Sequence, residues 1–186
     1  MKSESPVKKF GPALRFVVTF AGVYLVGNVL YGLYIEHYRP LPDPMTYSVT
    51  QQVASLLTMF GDPSEVLNVS DEPIVILKKE GDVGKTVLRV FEGCNGLNVL
   101  IVFGAFVVAF GGPVTRMLIF IFTAGIVLHL ANLSRIILLY YTALYRPTMF
   151  YYFHKYFFTA ILYVVVFGLW IVWTRINKES NDPVAA

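Results

Sequence analysis

The chain has 186 residues, 56% of them hydrophobic and 16% aromatic, and a mean hydropathy of +0.61, which excludes an ordinary soluble domain. Its net charge of +3 comes from clustered Lys and Arg with no basic stripe interleaved with stacking aromatics, which excludes a nucleic-acid surface. A single cysteine, Cys94, excludes an intramolecular disulfide, and three scattered histidines lack metal-ligand spacing, so neither a metal nor a cofactor is expected.

Four segments are apolar enough to span a bilayer, which takes roughly 20 residues. The first runs from about Ala13 to Ile35, behind Lys2, Lys8, Lys9 and Arg15. It is too long for a signal-peptide core and lacks a small-residue cleavage site, so it reads as an uncleaved anchor. The second runs from about Leu97 to Phe110 and is short unless it starts near Cys94. The third runs from about Met117 to Tyr141, interrupted by His129, Asn132, Ser134 and Arg135, and the fourth from about Tyr156 to Trp173. Tyr151, Tyr152, Tyr156, Trp170 and Trp173 gather at the ends of the fourth, as an interfacial aromatic belt requires. Basic residues in the N-terminal tail, at Arg116 in the tight turn 111–116, and at Arg175 and Lys178 fall on one side of a four-span protein. The positive-inside rule makes that side cytoplasmic. The stretch from Glu36 to Glu92 and the loop from Leu144 to Lys155 are then outside.

The outer stretch opens on Arg39-Pro40-Leu41-Pro42-Asp43-Pro44, whose three prolines predict a stiff, extended linker. From Met45 to Phe60, Val53, Leu56, Leu57 and Phe60 recur at helical spacing, and Gly61-Asp62-Pro63 ends the helix. Pro73 to Lys79 and Thr86 to Phe91 read as two strands of a hairpin around the turn chemistry of 80–84. About fifty residues bury little core alone, so this small cap sits over the outer mouth of the helices.

The hairpin feeds directly into Glu92-Gly93-Cys94-Asn95-Gly96. A helix start needs one capping residue; it does not need a thiol between two glycines. Arg135 lies eighteen positions after Met117, which puts it about 27 Å from the cytoplasmic face. His154 precedes the fourth span on its outer side. Cys94, Arg135 and His154 therefore converge on one membrane level, where ionisable groups mark function. These three suit acyl transfer. The thiolate is the nucleophile, favoured by a neighbouring cation. His154 relays the proton as general acid and base. The Arg135 guanidinium stabilises the thiolate and the oxyanion. Asn132, one turn before Arg135, and Asn98, one turn after Cys94, are positioned to orient this group, with Gly96 shaping the helix mouth.

The chain resembles the exosortase/archaeosortase family, polytopic membrane transpeptidases known by a Cys, a small residue and Gly at the start of a membrane helix, then an Arg and a His in separate segments. These map onto Cys94 with Gly96, onto Arg135 in 132–136, and onto His154 in 152–154, over roughly Phe91 to Trp173, with the anchor and cap outside the resemblance. Asn95 stands where the family commonly has Ser or Ala. Many members carry more spans, so this chain is a compact form. The resemblance implies a bacterial inner-membrane cysteine peptidase or transpeptidase with its site facing the periplasm or exterior. The implied substrate is a secreted protein whose C-terminal sorting tail has a short motif, a membrane helix and a basic end. Cleavage through a thioester would be resolved by water or by an amine acceptor on a lipid or glycan.

Plainer uses compete with these assignments. A lone Cys is most often inert packing, and Arg135 at a helix end can snorkel to the headgroups, as Arg146 beside Pro147 is expected to do. His154 beside Lys155 can bind lipid phosphate. His129, about 9 Å deeper than Arg135, reads as a hydrogen bond between helices, and His37 as a lone interfacial histidine. The function alternative is a non-catalytic membrane assembly or transport subunit. The expected architecture is all-α and polytopic, with about four transmembrane helices and a small extracytoplasmic α+β cap. Residues 1–38 form the anchor, 39–92 the outer helix and β-hairpin, 93–175 the catalytic membrane core, and 176–186 the cytoplasmic tail.

Overall fold

The computed structural model describes residues 6–68, 72, 74–79, 81 and 86–181, with the side chains of 6–10 and 179–181 excepted. Lys2, most of the turn 80–85 and the tail beyond Asn181 lie outside the described residues. The protein is mostly helical: α1 (Pro6–Tyr38), α2 (Pro44–Met59), α3 (Leu97–Phe110), α4 (Val114–Tyr145), α5 (Phe150–Tyr152) and α6 (Phe158–Asn181), with a π-helical turn at Phe153–Phe157 joining the last two. Three helical stretches are long and apolar enough to cross a membrane: Gly11–Tyr38, Val114–Tyr145 and Pro147–Lys178. Helix α3, with 14 residues, is about 21 Å long and falls short of a bilayer core of about 30 Å. The protein is thus a polytopic membrane protein with three full-length spans and one short apolar helix packed among them.

Two expectations need correction. The Arg39–Pro44 segment is a tight turn, not an extended linker: Arg39 N–H donates to the Glu36 carbonyl and Leu41 N–H to that of Tyr38. It folds back because Asp43, fully buried, caps α2 by accepting from the N–H groups of Met45 and Thr46 at 3.0 Å each, and from the Tyr34 hydroxyl at 3.2 Å. The loop expected over 144–155 is instead helical almost throughout, and α4 runs on to Tyr145.

The cap holds three strands, one more than the sequence signals. Strands β1 (Ser64–Asn68), β2 (Ile74–Lys79) and β3 (Thr86–Phe91) form an antiparallel sheet in the order β1-β2-β3, from Ser64↔Lys79 to Asn68↔Val75 on one side of β2 and from Ile74↔Phe91 to Lys78↔Thr86 on the other. Strand β1 is short and mixes polar and apolar residues on both faces, so its period-2 signal is weak. Val49, Val53 and Leu57 of α2, Leu77, Val90, and Ile136, Leu139 and Tyr140 of α4 close one core at this end. Burying each such side chain from water contributes about 1.5–3 kcal/mol. A second core, deeper in the bundle, joins Phe103 and Val107 of α3, Ala124 and Leu128 of α4, and Val166 and Trp173 of α6. Lipid is as apolar as these side chains, so close packing between helices and not exclusion of water holds this part. Gly27 of α1 shows it: a Cβ there would stand 2.7 Å from Ile101. Helix α4 runs through both cores and ties the cap to the bundle.

Candidate active site

The site forms where β3 runs into α3. Phe91 is extended, Glu92–Cys94 make one 3-10 turn, and Gly96 takes φ +85°, a left-handed conformation that favours glycine, before α3 begins at Leu97. Asn95 is 2% exposed and spends its side chain on this bend: Oδ1 accepts from Leu97 N–H at 3.0 Å and Nδ2 donates to the Tyr31 hydroxyl at 3.3 Å. Tyr31 in turn donates to the Glu92 carbonyl at 2.9 Å, so α1 clamps the segment from behind. Asn95 thus closes an Asx turn one residue ahead of Gly96, the N-cap of α3, and a Ser hydroxyl can accept the same kind of bond.

Asn132 lies one turn before Arg135 on α4 and is 1% exposed; its Nδ2 donates to the Cys94 carbonyl at 2.9 Å. A Cβ on Gly96 would stand 3.3 Å from that same nitrogen. The glycine therefore lets Asn132 close on the backbone that carries the thiol. Asn98, by contrast, is exposed on the first turn of α3 and holds no described hydrogen bond to the site.

Cys94 and His154, sixty positions apart, are half-buried and line one cavity of about 110 Å³ with Leu88 to Phe91 of β3, Ile136 and Leu139 of α4, and Phe150. His154 sits in the π-helical turn, a local widening that often marks functional positions, and stacks on Phe150 with ring centroids 5.7 Å apart. Arg135 is half-buried, stands within electrostatic reach of the His154 ring, and has a buried Nε without a hydrogen-bond partner among the described residues. Arg146 is exposed at the end of α4. Burial pushes the Glu92 carboxyl above the ordinary carboxylate range, with Arg39 opposing that shift, and its Oε1 is buried without a described partner.

A second, apolar groove of about 450 Å³ lies between α3 and α4 and runs from Leu118 and Ile121 to Asn95, Gly96 and Asn132. It ends at Asn95 and Gly96, the residues that follow Cys94, while Cys94 itself lines the smaller cavity. His129 borders this groove and pairs its Nε2 with Gln52 Oε1 of α2 at 2.7 Å, so α2 descends along α4 to the level of His129. His37 packs edge-on against Tyr38.

Tyr31 and Asn95 were not among the sequence candidates. The spacing of Tyr31 from Cys94 carries no local signal, whereas Asn95 sits inside the motif and was legible only as a departure from it. No group of residues suited to hold a metal ion occurs among the described residues. No curated protein and no solved structure matches the chain. A family model described as transmembrane exosortase matches residues 9–174, which takes in the anchor and the cap that the sequence resemblance had left outside. The chain belongs to the transmembrane exosortase family.

Proposed function

We propose that the protein is a membrane cysteine transpeptidase or protease that cleaves the C-terminal sorting tail of secreted proteins. The observation that carries this reading is the shared cavity of Cys94 and His154, with Arg135 within electrostatic reach of the histidine. In the first half-reaction the Cys94 sulfur, its proton taken by His154, attacks the scissile carbonyl. Arg135 holds the developing oxyanion, and the C–N bond breaks as His154 returns the proton to the leaving amine. The acyl group then rests on Cys94 as a thioester. An amine acceptor on a lipid or glycan, or water, attacks the thioester, loses its proton to His154, and releases the thiol.

The apolar groove between α3 and α4 supports lateral entry of the tail's membrane helix, since it lies at bundle depth and ends beside Cys94. Basic residues support placing the site on the outer face of the inner membrane. Arg15 lines a hollow with Phe110 and Gly111, and Arg116 and Arg175 belong to the same end of the bundle, opposite the cap.

The test is a secreted reporter carrying a motif, membrane helix and basic tail, expressed with the wild-type chain or with Cys94→Ala. The wild type shortens the reporter and Cys94→Ala leaves it whole while accumulating in the membrane at the same level. Processing by Cys94→Ala would instead favour a non-catalytic assembly or transport subunit.

A further inference from the structure

Strand β3 has a neighbour on one side only. It pairs with β2, and β1 lies beyond β2, so β3 is an edge of the sheet; among the described residues no strand meets its other side. An unpaired edge presents a row of N–H and C=O groups that another extended chain can match, and proteins normally cover or blunt it. Here the active-site cavity runs beside it. The cavity touches four consecutive β3 residues, Leu88 to Phe91, and continues to Cys94 and His154. Successive strand residues point to opposite faces, and Leu88 and Val90 are indeed buried while Arg89 and Phe91 are exposed. A hollow that borders all four in a row follows the strand from its buried face and reaches residues of both faces. At about 3.3 Å per residue the bordered edge is about 10 Å long, and it ends three residues before the thiol.

We propose that β3 is the docking strand for the peptide segment that carries the scissile bond, which adds as a fourth, extended strand along β3 and delivers its carbonyl to Cys94. The inference rests on the reading of Cys94 as a nucleophile toward peptide bonds. The occupant is a polypeptide because an alkyl chain has no donors or acceptors to offer the edge. Main-chain hydrogen bonds to β3 would supply affinity with little demand on side chains, and specificity would fall to alternate residues that meet Arg89 and the Phe150 wall. The membrane helix and the extended segment then use separate surfaces that share no lining residue, the α3–α4 groove and the β3 edge.

The test uses the full chain in nanodiscs and acetylated peptide vinyl sulfones that alkylate Cys94, read by intact mass. Starting from the fastest-labelling peptide, each backbone amide is N-methylated in turn. Methylation at alternate amides should slow labelling about tenfold, the loss expected for one or two hydrogen bonds, and by less than about twofold at the amides between them. Hydrogen exchange over 86–91 should slow when Cys94 carries the peptide and stay fast when it carries N-ethylmaleimide. Labelling without alternation, or a segment 86–91 left unprotected, overturns the docking strand and leaves the peptidase reading standing. Reaction with N-ethylmaleimide but with no peptide electrophile overturns both.

Discussion

The short helix α3 is held at its two ends by the same device. At the cap end, Asn132 Nδ2 donates to the Cys94 carbonyl at 2.9 Å and packs against Gly96, φ +85°. At the far end, Asn177 Nδ2 donates to the Gly111 carbonyl at 2.9 Å and packs against Gly112, φ +138°. Both asparagines are buried and both leave Oδ1 without a described partner. An asparagine that clamps a backbone carbonyl beside a left-handed glycine is therefore, in this molecule, a way to pin a helix too short to span the membrane. What separates the two ends is everything around the clamp. The cap end adds a thiol and an imidazole around one cavity, with the Arg135 guanidinium within electrostatic reach of the imidazole, while the far end closes over Trp173. On the proposed function, the clamp positions and its neighbours supply the chemistry.

The largest expected effect breaks the symmetry outright. Arg135→Lys should lower reporter processing about 100- to 1,000-fold, because an ammonium lacks the planar fork that holds an oxyanion. Arg146→Lys, at an exposed helix end, should process normally. Near-full turnover in Arg135→Lys would leave that guanidinium an anchor and remove the chemical difference between the two ends.

The asparagines give the direct comparison. Asn132→Ala and Asn177→Ala should each cost about 1 kcal/mol of stability, the worth of a hydrogen bond between helices. Only Asn132→Ala should lower processing, by about 100-fold, because displacing the Cys94 backbone misaligns the nucleophile. Thermal melts in detergent and reporter cleavage in cells measure the two effects separately. Equal activity losses at both sites would mean that pinning α3 is all that matters.

The glycines sharpen the same contrast in stability. Gly96→Ala should cost about 1–2 kcal/mol for the left-handed conformation. Gly112→Ala should cost more, since its Cβ would also stand 2.9 Å from Asn177 Oδ1. The order of the two melting temperatures checks this.

The smallest effect is a pH dependence confined to the cap end. Burial raises the Glu92 pKa, so the neutral acid favours the fold at pH below the unfolded value of about 4.3, and that stability is lost as pH rises through the raised value. Glu92→Gln should therefore melt higher than wild type at neutral pH and match it near the unfolded carboxylate value. A constant offset across the whole range would remove ionisation as the cause.

Much of the candidate site was legible because its motif is local and its expected level is set by the membrane. Cys94 stands out as a thiol between glycines, and counting helical rise from Met117 places Arg135 at the same height. Asn132 follows from its position one turn before Arg135. Hydropathy alone determined the polytopic class and the long apolar stretches, because lipid sorts segments by composition and length. Tertiary structure decided what depends on contacts distant in sequence. Tyr31 reaches the Glu92 carbonyl across sixty-one positions, and Gln52 reaches His129 across seventy-seven. The third strand, the free edge of β3 and the path of α2 down α4 are likewise settled by which surfaces meet. Asn98 shows the limit from the other side: four positions from Cys94 in sequence, it is exposed, because Cys94 lies in a 3-10 turn ahead of the left-handed Gly96 and does not share a helix with it. Periodicity assigns a residue to a helix, and only the packing of that helix decides which face it presents.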